Sequence, residues 1–218
     1  MMPGLPQEPL ILDVGCGPGM QTMDLLTLTR GMITAVDNYQ PFLDELERRA
    51  VQKNFSHRVQ TVNQDMGSMN FEPESFDVIW SEGAIYLMGF ENGLKSWKRF
   101  LKKEGYIAVS EISWLKPFSP DNLRAFWEAE YPAICDIDEN LNIIRESGYR
   151  DIKHFTLPET AWWESYYAPL ENRLPGFIEK YKGDDQAQAV IQMIQAEIDL
   201  YKTYSEYYGY IFYVMRNA

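Results

Sequence analysis

A chain of 218 residues, 45% hydrophobic and 24% charged, is long enough to bury the core of one globular domain. A net charge of −12 and a pI near 4.6 repel phosphate backbones at long range, which disfavours a nucleic-acid partner. No apolar run reaches the ~18–20 residues of a membrane span, the N-terminus lacks a signal-peptide pattern, and Cys16 and Cys135 make no disulfide framework; a cytoplasmic protein with no membrane partner is expected.

In chain order, Leu10-Ile11-Leu12-Asp13-Val14 reads as a buried strand closed by a glycine-rich run from Gly15 to Gly19. A helix is expected from about Pro18 to Thr29, then a second strand at Ile33-Thr34-Ala35-Val36-Asp37. Pro41 opens the next helix, marked by apolar Phe42, Leu43, Leu46 and Ala50. Arg58 to Asn63 forms a third strand and Phe76-Asp77-Val78-Ile79-Trp80 a fourth. A helix from Glu91 to Leu101 packs through Leu94, Trp97 and Leu101, with Gly105 just past its end. Its basic residues, Lys95, Lys98, Arg99, Lys102 and Lys103, read as a solvated face. Tyr106 to Glu111 is the fifth strand. Units of this length predict a mostly parallel sheet with right-handed crossovers.

The pattern then changes. Pro117, Ser119 and Pro120 open a helix carrying Leu123, Phe126 and Trp127, and a helix near Asp138–Ser147 ends at Gly148. Asp151–Leu157 reads as a sixth strand. Thr160 to Tyr207 reads as helical, interrupted at Pro169, Pro175 and Gly183, and Tyr207 to Met215 as a closing strand.

The most informative segment is Asp13-Val14-Gly15-Cys16-Gly17-Pro18-Gly19, between a strand and a helix. Glycines let a backbone approach a ligand closely, and a helix start offers unpaired N–H groups. A dinucleotide-binding loop uses the same physics but wants G-x-G-x-x-G. Here Met20 stands where the third glycine would be, and an acid sits two residues before the first. That spacing disfavours a pyrophosphate.

Acidic-x-Gly-x-Gly-x-Gly, met as Asp13 through Gly19, resembles the first motif of class I S-adenosylmethionine-dependent methyltransferases. Other pieces of that family follow in order. They are Asp37 ending the second strand, Asp65 and Met66 after the third, Phe76-Asp77-Val78-Ile79 with Ser81-Glu82-Gly83, and Leu101-Lys102-Lys103-Glu104-Gly105-Tyr106. The resemblance covers residues 9–111. Ser81 to Tyr86 and Glu206 to Tyr210 are similar to the ubiquinone/menaquinone-biosynthesis type.

The resemblance implies an α/β, Rossmann-like fold: a seven-stranded, mostly parallel sheet with a final antiparallel strand, helices on both faces and a helical insertion before the last strand. It implies one methyltransferase domain over 1–218, with the cofactor-binding half at 9–111, the substrate-side half at 112–218 and the insertion at about 160–207. The implied cofactor is S-adenosyl-L-methionine and the partner a small-molecule acceptor with an O, N or C nucleophile. Asp13, Gly15 and Gly17 would border the methionine end, Asp37 the ribose hydroxyls and Asp65, with the Met66 backbone, the adenine. Cys16, Gly19, Asn38 and Ser81 complete the expected cofactor set. Glu82, Tyr86 and Glu111 are candidates for orienting or deprotonating the acceptor. Plainer roles stay open: Asp13 could cap the glycine turn, Asp37 be an exposed strand end, and Asp65 a turn residue.

Methyl transfer from a sulfonium is an in-line displacement that needs alignment and exclusion of water, and a base only for a nucleophile with a high-pKa proton. No metal is expected; His57 and His154 form no ligand set. The Asn/Asp-Pro-Pro-aromatic motif of enzymes acting on planar amino nitrogens is missing after the fourth strand. Aromatic residues concentrate late, at Trp114, Phe118, Phe126, Trp127, Trp162, Trp163, Tyr166, Tyr167 and Tyr207. They either pack the insertion or wall an apolar or cationic substrate, Trp114 and Tyr167 foremost, and the insertion could serve as a homodimer surface. The family's usual helices before the first strand have few residues here, so a more open site, or a lid from the helices after Thr160, is expected. The alternatives are a binding protein that keeps the pocket without turnover and, against Met20, a nucleotide-dependent oxidoreductase.

Overall fold

A computed structural model describes residues 2–218. The first elements are β1 (Leu10–Val14), α1 (Met20–Leu28), β2 (Met32–Asp37), α2 (Gln40–Gln52), β3 (Val59–Asn63) and β4 (Phe76–Ser81). A 3-10 turn at Ile85–Met88, α3 (Phe90–Trp97) and β5 (Leu101–Trp114) follow. Next come α4 (Asp121–Glu130), β6 (Cys135–Asp136), α5 (Ile137–Glu146) and β7 (Tyr149–Thr156). The chain ends with α6 (Glu159–Trp162), a π-helical turn at Trp163–Tyr167, α7 (Ala168–Lys180), α8 (Asp185–Tyr204) and β8 (Tyr208–Asn217).

Among the described residues the strands form one sheet in the order β3-β2-β1-β4-β5-β8-β7, with the two-residue β6 paired to β5 as an eighth strand beyond the seven expected. β1 pairs in parallel with β2 and β4, β2 with β3, and β4 with β5. β8 runs antiparallel to β5: Leu115 N donates to Tyr207 O at one end, and the Asn217 side chain reaches Leu101 O at the other. The composition of β1 explains its central place, since Ile11, Leu12 and Val14, with Asp13 between them, are all buried and only a strand covered on both faces can hide them.

The chain divides into two compact units. One runs to Glu111 and takes in Asp138–Phe155 and Phe212–Ala218; the other consists of Ile112–Ile137 and Thr156–Ile211. In the first, Ile11, Met23, Leu26, Ile33, Leu43 and Leu46 form a core in which α1 and α2 cover the sheet. In the second, Leu123 and Trp127 of α4, Tyr167 of the π-helical turn, Leu174 of α7, and Ile198 and Tyr201 of α8 form a core of their own. No described helix is long and apolar enough to cross a membrane.

Two expectations are corrected. The helix expected to reach Leu101 stops at Trp97 and passes through a 3-10 turn, and Leu101 already opens β5. Gly105 therefore lies inside a strand, not past a helix. The cause is a bulge: the β4–β5 register shifts between Phe76 and Val78, Glu104 takes a φ of +67°, and a Cβ on Gly105 would sit 3.0 Å from Asp77 O. Nor do Pro169 and Pro175 break the late helices. Pro169 is the second residue of α7 and follows directly on the π-helical turn, and Pro175 is carried inside the same helix. The break comes only near Gly183, at a φ of +91°.

Leu46 links packing to the glycine turn, because its Cδ1 occupies the space a Cβ on Gly19 would need, 2.3 Å away. Leu46→Ala empties a fully buried site and should cost about 2–5 kcal/mol in urea unfolding. A loss under about 1 kcal/mol would contradict this packing.

Candidate functional site

After β1 the chain folds back on the end of β2. Gly15 N and Cys16 N both donate to Val36 O, at 2.9 and 3.0 Å, and Gly17 N donates to Asp37 Oδ2 at 2.9 Å. The turn holds Gly15, Gly17 and Gly19 at φ of +72°, +52° and +81°, a region open to glycine at little cost. A Cβ on Gly15 would also lie 2.4 Å from the Ala84 Cβ. At Gly17 and Gly83 a Cβ would meet nothing within 4 Å, and both glycines border a cavity of about 510 Å³.

Four strand ends build that cavity. The glycine turn follows β1; Val36 and Asp37 end β2 and Asn38 follows it, and Tyr39 and Phe42 lie at the start of α2. Gln64, Asp65 and Met66 follow β3, and Gly83, Ala84, Leu87 and Met88 follow β4. The carboxyl ends of parallel strands are where such sheets take ligands. Asp37 and Asp65 supply two carboxylates, and no Lys or Arg is among the lining residues. Asp37 spends one lone pair per oxygen on backbone, Oδ2 on Gly17 and Oδ1 on Tyr39 N at 2.9 Å, and keeps the others. Asp65 Oδ1 accepts from Gly67 N at 2.8 Å, and the Trp97 indole donates to Met66 O at 3.0 Å, so this segment is braced from both sides.

The expected cofactor set divides into two groups. Gly15, Gly17, Asp37, Asn38, Asp65 and Met66 line the cavity. Asp13, Cys16, Gly19 and Ser81 stand behind its wall: each is buried, and Gly19 faces Leu46. Asp13, 2% exposed, accepts from Thr22 Oγ1 at 2.6 Å. Burial pushes its carboxyl up to about 7; the Thr22 hydroxyl opposes that rise, and the charges of Glu82 and Asp37 add to it. Burial, with Asp13 and Asp37 nearby, also pushes the Cys16 thiol well up, so it stays protonated.

The acceptor candidates are less united. Glu82, next to the lining Gly83, is half-buried, and burial with the Asp24 charge raises its carboxyl above the usual range. Tyr86 is exposed on the 3-10 turn beside the lining Leu87, and Glu111 is buried in β5; none of the three lines the cavity. Sequence reasoning missed Tyr39, Phe42, Gln64, Leu87 and Met88. Phe42 reads as a core residue of α2, yet it is 41% exposed; an apolar residue in a first helical turn faces core or ligand with the same letter. Tyr167 is core, its hydroxyl donating to Glu197 Oε1 at 2.7 Å, and Trp114 is half-buried in the second unit.

Residues 11–105 match the family model described as a methyltransferase domain. A sterol 24-C-methyltransferase of Gibberella zeae is 24% identical over 172 residues, covering 75% of this chain and 45% of that protein. The chain spans about half the length, or less, of the sterol methyltransferases it matches. The 27-O-demethylrifamycin SV methyltransferase of Amycolatopsis mediterranei is 24% identical over 211 residues, covering 90% and 72% of the two chains. A methyltransferase from Geobacter sulfurreducens, solved with S-adenosyl-L-homocysteine, superposes with a TM-score of 0.81 at 20% identity over 98% of this chain and 86% of that one. The cyclase SpnF superposes with a TM-score of 0.78, also at 20% identity, over 98% and 76%. At such identity the solved structures show the shared fold.

Asp13 makes the pH response testable. Its folded pKa lies above the unfolded value, so the folded state binds the extra proton, and stability falls as pH rises toward 7. Asn accepts from Thr22 without a charge. The stability of Asp13→Asn relative to the native protein should rise by about 2–3 kcal/mol between pH 5 and pH 8 in urea unfolding. A pH-independent difference would contradict a buried, proton-holding Asp13.

Proposed function

We propose that this chain, whose residues 11–105 match a methyltransferase domain, binds S-adenosylmethionine in the cavity at the strand ends and transfers its methyl group to a small-molecule acceptor. The cavity's chemistry carries this reading: two carboxylates, exposed glycine backbone and apolar walls, with no Lys or Arg. A nucleoside with a cationic tail suits those groups, whereas a pyrophosphate would face carboxylates with no counter-charge. The open space at Gly17 and Gly83 accommodates such a ligand against bare backbone.

The free lone pairs of Asp37 suit the two ribose hydroxyls, and Asp65 with the Met66 backbone suits the adenine edge. Tyr39, Phe42, Leu87 and Met88 supply apolar surface for its faces. When bound, the cofactor supplies an activated sulfonium methyl open to in-line displacement. The protein's part is to align the acceptor and keep water out. Glu82 is the proposed residue for orienting the acceptor or taking its proton, because it adjoins the cavity-lining Gly83 and burial, with the Asp24 charge, raises its carboxyl and so makes it a stronger base than an ordinary carboxylate. Tyr86 and Glu111 remain secondary candidates. The sterol and rifamycin enzymes support a small acceptor rich in apolar surface, and the likeness of Ser81–Tyr86 to the ubiquinone/menaquinone type points the same way. One observation favours a second reading, cofactor binding without methyl transfer: a cyclase shares the fold over nearly the whole chain.

Asp37→Ala should weaken S-adenosylmethionine binding by about ten- to a hundredfold, the worth of hydrogen bonds to a charged group, in calorimetric titration of variants checked for native circular dichroism. Unchanged affinity would contradict the ribose contact. Glu82→Gln should leave that affinity within about threefold and lower the rate of labelled-methyl transfer to a responsive acceptor. Equal rates would remove Glu82 from the mechanism, and binding with no transfer to any acceptor would favour the second reading.

A further inference from the structure

The second unit holds a cavity of about 320 Å³ lined by Glu159, Glu164, Trp163, Tyr201, Lys202 and Ser205, none of which lines the cofactor cavity. The Trp163 and Tyr201 rings are near parallel, 6° apart, with centroids separated by 6.5 Å. Trp163 opens the π-helical turn, an uncommon geometry that recurs at functional sites. The face of Trp163 already accepts a cation, since Lys202 Nζ lies 5.3 Å from its centroid. That ammonium is held by Glu171, which is not a cavity residue. Glu159 and Glu164, both exposed, make no ion pair among the described residues. Glu159 is close to the ring system: burial pushes the Tyr201 hydroxyl up to about 12, and the Glu159 charge adds to that rise.

We propose that this pocket binds a compact organic cation, a protonated or quaternary amine, with its charge against the Trp163 face and answered by Glu159 and Glu164. Aromatic faces attract a cation through the ring quadrupole, most strongly when it is partly desolvated, and two carboxylates with no partner add to that attraction. An uncharged ligand would gain only the rings, and an anion would meet both carboxylates. Lys202 is then an internal competitor for the Trp163 face.

Choline and its uncharged carbon analogue are the probes. Each is titrated into isotope-labelled protein while the Trp163 indole resonance, identified by its loss in Trp163→Phe, is followed. Choline should shift that resonance saturably, and the analogue should bind about tenfold more weakly or worse. Replacing both acids, Glu159→Gln with Glu164→Gln, should weaken choline by about tenfold, and Lys202→Met should tighten it several-fold. Unmoved resonances elsewhere show that each variant keeps its fold. Equal binding of the uncharged analogue would overturn the proposal, because the pocket would then be merely apolar. Failure of choline to move Trp163 in Lys202→Met would overturn it too, since the competing ammonium is gone.

Discussion

Two acceptors at the end of β2, the Val36 carbonyl and the Asp37 carboxylate, collect three backbone amides from the turn after β1. The geometry of the strand-end cavity depends on that convergence. A chain that leaves a buried strand and returns at once to its neighbour must take positive φ, so glycines stand at 15, 17 and 19. Because Gly15 presses on Ala84 and Gly19 on Leu46, the turn is wedged between the segment after β4 and helix α2. Only Gly17 faces open space, and there the backbone itself becomes the surface a ligand meets. Asp37 thus does two jobs, bracing the turn and presenting its remaining lone pairs to the cavity.

The charge pattern follows from the same compression. Asp13 is drawn into the sheet by β1, within reach of the Glu82 and Asp37 charges, and low-dielectric surroundings make three such carboxylates costly together. A proton on Asp13 relieves that repulsion. A cationic ligand would relieve it as well, whereas a phosphate would aggravate it. The proposed preference for a sulfonium cofactor over a dinucleotide therefore rests on an electrostatic argument independent of the missing third glycine at Met20.

The central strands were legible because β1, β2 and β4 are short apolar runs bounded by glycine, acid and proline, and the structure returns them within a residue or so. The bulge at Glu104–Gly105 was not, because it arises from strand register with Asp77 and leaves no local pattern. Prolines misled in α7, where one follows directly on the π-helical turn and the other is carried within the helix. At the cavity, Asp37, Asp65, Gly15 and Gly17 were legible from motif spacing, whereas Gln64, polar but outside any motif, was not. Tyr39, Phe42, Leu87 and Met88 were not, since apolar letters at an element's edge do not say whether core or ligand covers them. Cys16 and Ser81 show the converse, as motif membership placed them at the ligand and packing put them behind it.

The most direct measurement is calorimetric titration of the native protein with S-adenosylmethionine, its demethylated product, NAD and NADP. Saturable micromolar binding of the first two, with none of the dinucleotides, is the predicted result for an acidic cavity without cations. Binding of NAD or NADP, or no binding of S-adenosylmethionine by demonstrably folded protein, would contradict it.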